Sequence, residues 1–115
     1  SRIFAPQTAP KGYLAHVGAE LAIRAKTIRA NAADIDALKP YLLDMRSKYA
    51  NLKMPVEILH GTDDGTVPIH IHSDRLARAL PHASYERLNG IGHMPHHCAQ
   101  PRLLAALHRL NAQLV

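Results

Sequence analysis

The chain has 115 residues, 47% of them hydrophobic and 20% charged, with a formal charge of +5. This is the size and balance of one folded domain, long enough for a core, too short for two, and too apolar for a disordered tail. The positive charge does not form a nucleic-acid footprint: Lys and Arg are scattered from Arg2 to Arg109 without a run, and one Phe and no Trp leave no platform for stacking bases, so no nucleic-acid partner is expected.

The opening stretch, SRIFAPQTAP, reads as an extended lead-in with two prolines. It lacks the charged-then-apolar order of a signal peptide, and begins as if cut from something longer. Apolar residues then recur at helical spacing. Leu14, Val17, Leu21, Ala25 and Ile28 form one stripe, and Ile35, Leu38, Leu42, Met45 and Tyr49 a second, predicting two or three helices. Gly12 and the stretch 31–34 are natural boundaries, with Asp34 as an N-cap, and Pro40 predicts a break or a fresh first turn. No apolar run approaches the ~20 residues of a membrane span, so no membrane partner is expected.

The character of the chain changes at Met54-Pro55. Residues 1–54 read as a helical segment and 55–115 as a different unit. VEILHG is a short aliphatic strand closed by glycine, interrupted by Glu57, of the kind covered on both faces. GTDDGTVP is a loop of turn residues. Ile69 to Leu80 predicts a helix with Ile69, Leu76, Ala77 and Leu80 on one side, stopped by Pro81. Ser84 to Leu88 alternates as a strand does, and GIGHMPHH follows as a second turn-rich loop. Pro101 to Val115 predicts a final helix with Leu103, Leu107, Leu110 and Leu114 on one face.

Strand, loop, helix, strand, loop, helix is the order of a parallel sheet with crossover helices. In such sheets ligand sites lie beyond the carboxyl ends of the strands, where both odd loops fall. An acidic group from the first loop can there meet an imidazole from the second. Acyl transfer needs this pairing, because an imidazole that accepts and returns a proton must have its other ring nitrogen held by a carboxylate. Asp64 and His93 are the candidates. Gly90 and Gly92 let the backbone bend around the projecting imidazole, and Pro95 stiffens the exit. Asp64 also reads as an ordinary turn residue, since Asp-Gly is a turn dipeptide; the paired loop downstream favours the acid role and leaves Asp63 as the turn residue.

HGTDDGTVP, a helix HSDRLARALP, a strand, and GIGHMPHH together resemble the C-terminal part of the α/β-hydrolase fold superfamily. Gly61, Asp64, Val67 and Pro68 match the loop that carries the family's triad acid, and Gly90, Gly92, His93 and Pro95 match the loop that carries its triad histidine. The resemblance covers Pro55 to Val115. It implies an α/β fold, namely the C-terminal part of a hydrolase parallel sheet with crossover helices, preceded by a helical cap segment over 1–54. It also implies a cofactor-free, metal-free hydrolase of small-molecule ester-like substrates. Tyr13, Tyr41 and Tyr49 would either line the pocket beneath such a cap or pack within it.

The family's nucleophile, on a G-x-S-x-G elbow that precedes the acid in the chain, has no counterpart: none of Ser1, Ser47, Ser73 or Ser84 has that glycine frame. The expectation is therefore half of a site, inactive alone, that needs the N-terminal part of the core for a Ser or Asp nucleophile and oxyanion donors. A sheet of two strands would also leave an apolar edge open. Such an edge suits a second reading, a non-catalytic fragment or binding module that pairs with a partner chain or with itself as a homo-oligomer.

Nine histidines raise a rival chemistry. His70-Ile71-His72-Ser73-Asp74 mimics the start of a metal-dependent hydrolase, with His93, His96 and His97 as further ligands, but in the first turns of a helix positions i and i+2 point apart. His96 and His97 read more simply as surface residues near the site mouth, and His60 as a buried, hydrogen-bonded residue behind it. Cys98, the only cysteine, excludes a disulfide framework and a cysteine zinc site and suits a reducing, cytoplasmic setting. At the start of the last helix it reads as a half-buried thiol or, less simply, as a nucleophile.

Overall fold

The computed structural model describes residues 2–114. It is a mixed α/β structure with a small parallel sheet, and its residues fall into two compact units: 9–51, and 2–8 together with 52–114.

The first unit is helical. Short helices α1 (Tyr13–His16) and α2 (Ala19–Ala22) precede a long one, α3 (Ala25–Arg46). The first apolar stripe is therefore not one helix, because Gly18 takes a left-handed conformation (φ 60°) and Arg24 an extended one. Conversely, the boundary expected at 31–34 does not exist, and Asp34 lies in mid-helix instead of capping one. Alanines at 25, 30, 32, 33 and 37 carry the helix through, and exposed Asn31 and Asp34 cost it only about 0.7 kcal/mol each. Pro40 is also absorbed without a break. It lacks the N–H that would bond the Asp36 carbonyl, and the position is exposed, so water can take that bond.

The second unit holds the sheet. Strand β1 (Glu57–Gly61) pairs in parallel with β2 (Ser84–Leu88), Glu57 opposite Ser84 and Gly61 opposite Leu88. Between them runs α4 (Ser73–Ala79), and after β2 come α5 (Pro95–Cys98) and α6 (Gln100–Gln113). The alternation of side chains places Glu57 and Glu86 on one face and His60, Tyr85 and Arg87 on the other. Arg109 of α6 forks onto Glu57 at 2.9 and 2.7 Å, and Arg102 pairs with Glu86. On the opposite face Asp74 of α4 accepts from Tyr85 at 2.7 Å and from Arg87 at 2.9 Å. A helix therefore lies on each face of β1 and β2, and the carboxylate that interrupts the apolar run of β1 is a buried anchor for the last helix.

Ile58, Leu80, Leu88, Met94, Ala99 and Ala106 are buried around this sheet with Phe4. Each large apolar side chain among them contributes about 1.5–3 kcal/mol. Two helices depart from their expected bounds or faces. The helix expected from Ile69 begins only at Ser73, after a turn in which Ile71 and His72 both donate to the Pro68 carbonyl. The face of α6 that turns inward runs through Leu103, Ala106 and Leu110, while Leu107 and Leu114 are exposed. A small residue brings the α6 backbone close to the sheet, which a leucine at 106 would prevent.

Candidate active site

Because the strands are parallel and in register, the loops after Gly61 and Leu88 leave the sheet side by side at its carboxyl edge. They are stitched together directly. Thr62 N–H donates to the Leu88 carbonyl (3.0 Å), Asp63 N–H to the Ile91 carbonyl (3.0 Å), and Gly90 N–H to the Thr62 hydroxyl (2.9 Å). The approach is close enough to require glycine: a Cβ on Gly61 would stand 2.1 Å from the Ile91 carbonyl oxygen.

This stitching brings Asp64 and His93 together, with Nδ1 of the imidazole 2.9 Å from Oδ2 of the carboxylate. The other oxygen, Oδ1, accepts the backbone N–H groups of Thr66 and Val67, each at 2.8 Å. Burial pushes the Asp64 carboxyl up, but the Val67 N–H, the His93 imidazole and the Thr66 N–H together hold it below the ordinary value of 3.8. An ionised carboxylate only accepts, so Nδ1 must carry the proton and Nε2 is left with its lone pair. The Asp64 side chain is 5% exposed and that of His93 29%. The acid is sealed in while the imidazole reaches the surface, an arrangement that can take up a proton and stabilise the resulting imidazolium.

A third segment holds the histidine loop. Gln7 bridges its ends: the side-chain amide donates to the Gly90 carbonyl and its oxygen accepts the Gly92 N–H (2.9 Å). Ala5 lies so close that a Cβ on Gly92 would stand 1.9 Å from its carbonyl oxygen. Phe4 is fully buried, with its ring 5.5 Å from that of His97. None of this was signalled in the sequence, where 2–8 has no periodicity and Gln7 lies 83 and 85 residues before its partners.

Asp63 is exposed and accepts the Thr62 hydroxyl (2.8 Å), a turn residue. His60 is buried and hydrogen-bonded at both ring nitrogens, to Ser73 and to the Val67 carbonyl. His96 and His97 are exposed on α5. Cys98 ends α5 and does not begin the last helix, so the helix terminus that would activate a thiol is not beneath it. His70 and His72 lie in the turn before α4, not in its first turns, and among the described residues no group of three or more His, Cys, Asp or Glu side chains could hold a metal. Ser47 donates to the Asp44 carbonyl and Ser73 is held by His60, so both hydroxyls are committed away from His93, while Ser84 opens β2 at the end of the strand away from His93. Tyr41 is exposed on α3. No described helix is long and apolar enough to cross a membrane. Comparison of the chain with protein-family models, with curated proteins and with solved structures finds no match.

Proposed function

We propose that these residues are the C-terminal part of an α/β-fold hydrolase acting on small ester-like substrates, with Asp64 and His93 as the acid and base of a triad. The observation that carries this reading is the 2.9 Å contact between the Asp64 carboxylate and His93 Nδ1, made by loops leaving adjacent parallel strands at their carboxyl ends. The nucleophile comes from sequence outside these 115 residues, in a longer chain whose cap includes the helical segment. His93 Nε2 removes its proton as it attacks the ester carbonyl, returns that proton to the leaving alcohol, and then activates water to release the acyl group. Asp64 keeps the imidazole in the required tautomer throughout. With an Asp nucleophile in place of Ser, the same half-site would activate water against an alkyl-enzyme ester, the chemistry of dehalogenases and epoxide hydrolases. No metal or cofactor is required, and a cytoplasmic setting keeps Cys98 reduced.

The test is ester hydrolysis by a longer form that carries the upstream nucleophile. His93→Ala is expected to lower kcat/KM on the order of 10³-fold or more in a protein that remains folded. Near-normal activity in a folded His93→Ala protein would sink the reading. A second reading, a binding module that pairs through an open strand edge, draws on the two-stranded sheet, whose outer edges lack a described neighbour. It predicts a stable dimer or a captured partner strand at native mass, and no activity in the longer form.

A further inference from the structure

The Asp64 carboxylate serves a second imidazole. Nε2 of His60 stands 3.2 Å from Oδ2, the same oxygen that faces His93, and 2.9 Å from the Val67 carbonyl oxygen. Nδ1 of His60 meets the hydroxyl of Ser73 at the start of α4. Both His60 and Ser73 are 9% exposed. Two oxygens beside Nε2 are tolerable only if that nitrogen carries the proton. Nδ1 is then bare and accepts the Ser73 hydroxyl, so the Asp64 and Val67 oxygens select the tautomer of His60 and Ser73 caps its free nitrogen. The two imidazoles on this carboxylate are thus held in opposite tautomers: His60 presents Nε2–H and His93 presents Nδ1–H.

Serine, histidine and aspartate in contact have the composition of a catalytic triad, but the wiring is reversed. In a triad Nε2 takes the proton of serine and Nδ1 faces the acid, in a site open to substrate. Here the serine is on Nδ1, the acid on Nε2, and serine and histidine are both buried. The same Val67 whose carbonyl accepts from His60 donates its N–H to Oδ1 of Asp64. His60 therefore grips the acid loop from behind at the residue that orients the carboxylate.

We propose that His60, held as the Nε2–H tautomer between Asp64 and Val67 and capped by Ser73, is a positioning residue that aims Asp64 at His93. The proposal rests on the acid–base reading above and adds to it the device that sets the acid. It is tested by long-range proton–nitrogen NMR of the imidazoles in this chain, at a pH where they are neutral. The wild-type chain is expected to show His60 as Nε2–H and His93 as Nδ1–H. In Ser73→Ala the Asp64 and Val67 oxygens still demand Nε2–H, so His60 keeps its tautomer and His93 is little changed. In His60→Leu, which fills the space without a donor, the Asp64 carboxyl titrates higher and the Nδ1–H form of His93 loses population. His60→Gln, whose amide N–H can replace Nε2–H, restores it, which a purely packing role would not require.

If His60→Leu folds and leaves the His93 tautomer and the Asp64 titration unmoved, the proposal is overturned. Should His60→Leu fail to fold, His60→Met, which also lacks a donor, decides by the same readout. A wild-type His93 without Nδ1–H would instead remove the acid–base reading itself, and this proposal with it. Intact tautomer coupling in a longer form that hydrolyses no ester would count against the hydrolase reading only.

Discussion

The two compact units of this chain make opposite use of apolar residues. In 9–51 the periodicity is regular, yet no residue is buried: Leu14 is 52% exposed, Ile35 68% and Leu43 60%. Around the sheet the pattern is poorer, interrupted by Glu57, His60 and Ser73, yet Phe4, Leu80 and Ala106 are almost wholly excluded from solvent. A stripe records only that a helix is ready to bury one side. Burial requires several surfaces to converge, and the parallel pair with a helix on each face achieves that. The helical unit should therefore respond to substitution through local backbone terms, and the sheet unit through packing and buried polar contacts.

The glycines separate these regimes most widely. Gly61→Ala forces a Cβ to within 2.1 Å of a backbone oxygen and should cost at least about 4 kcal/mol in urea unfolding, or abolish the fold. Gly12→Ala, in open space at φ 76°, should cost about 1 kcal/mol. Comparable losses at both sites would break the contrast. Next comes a gain: Pro40→Ala restores a helical hydrogen bond and should strengthen α3 by about 3 kcal/mol, read as slower amide hydrogen exchange around residues 36–44. Arg109→Met strands the Glu57 carboxylate, whose side chain is 3% exposed, and should lower the unfolding midpoint of the sheet unit in the same assay.

That unit should also be the acid-labile one. The Arg109 hydrogen bond outweighs burial to hold Glu57 below its ordinary 4.5, as the acid-loop contacts hold Asp64 below 3.8. Carboxyls depressed on folding contribute fully above their ordinary values, and the contribution is lost as pH falls through the lower folded ones. Near-ultraviolet circular dichroism from the sheet-unit tyrosine Tyr85 should thus collapse on acidification from pH 4.5 downward. The smallest effect belongs to Lys48→Ala, which removes an exposed i,i+4 pair with Asp44 and should change stability by no more than about 0.5 kcal/mol.

What was legible in the sequence was what depends on neighbours in the chain. β2 runs from Ser84 to Leu88 as its alternation predicts, and the two turn-rich loops after the strands bring Asp64 to His93. The helix boundaries in 9–51 were misread because Asn31, Asp34 and Pro40 act as breakers only where a competing conformation is favoured, and exposed positions in an alanine-rich helix offer none. The inward face of α6 was misread because leucine spacing cannot show that a close approach selects Ala106. Ser73 and Gln7 were invisible for a simpler reason. Their partners are chosen by tertiary proximity, 13 residues away for Ser73 and more than 80 for Gln7, and no local pattern encodes that.

The clasp of Phe4 and Gln7 on the histidine loop has a consequence for how the protein is made. These residues leave the ribosome more than 80 positions ahead of their partners at 90–97, with the helical unit between. Closing so large a loop is entropically unfavourable until the sheet has formed, so the clasp must dock late. Until then the most deeply buried aromatic ring of the molecule travels exposed. A chaperone that holds nascent apolar segments would find its target at Phe4, and would have to release it before His93 could settle.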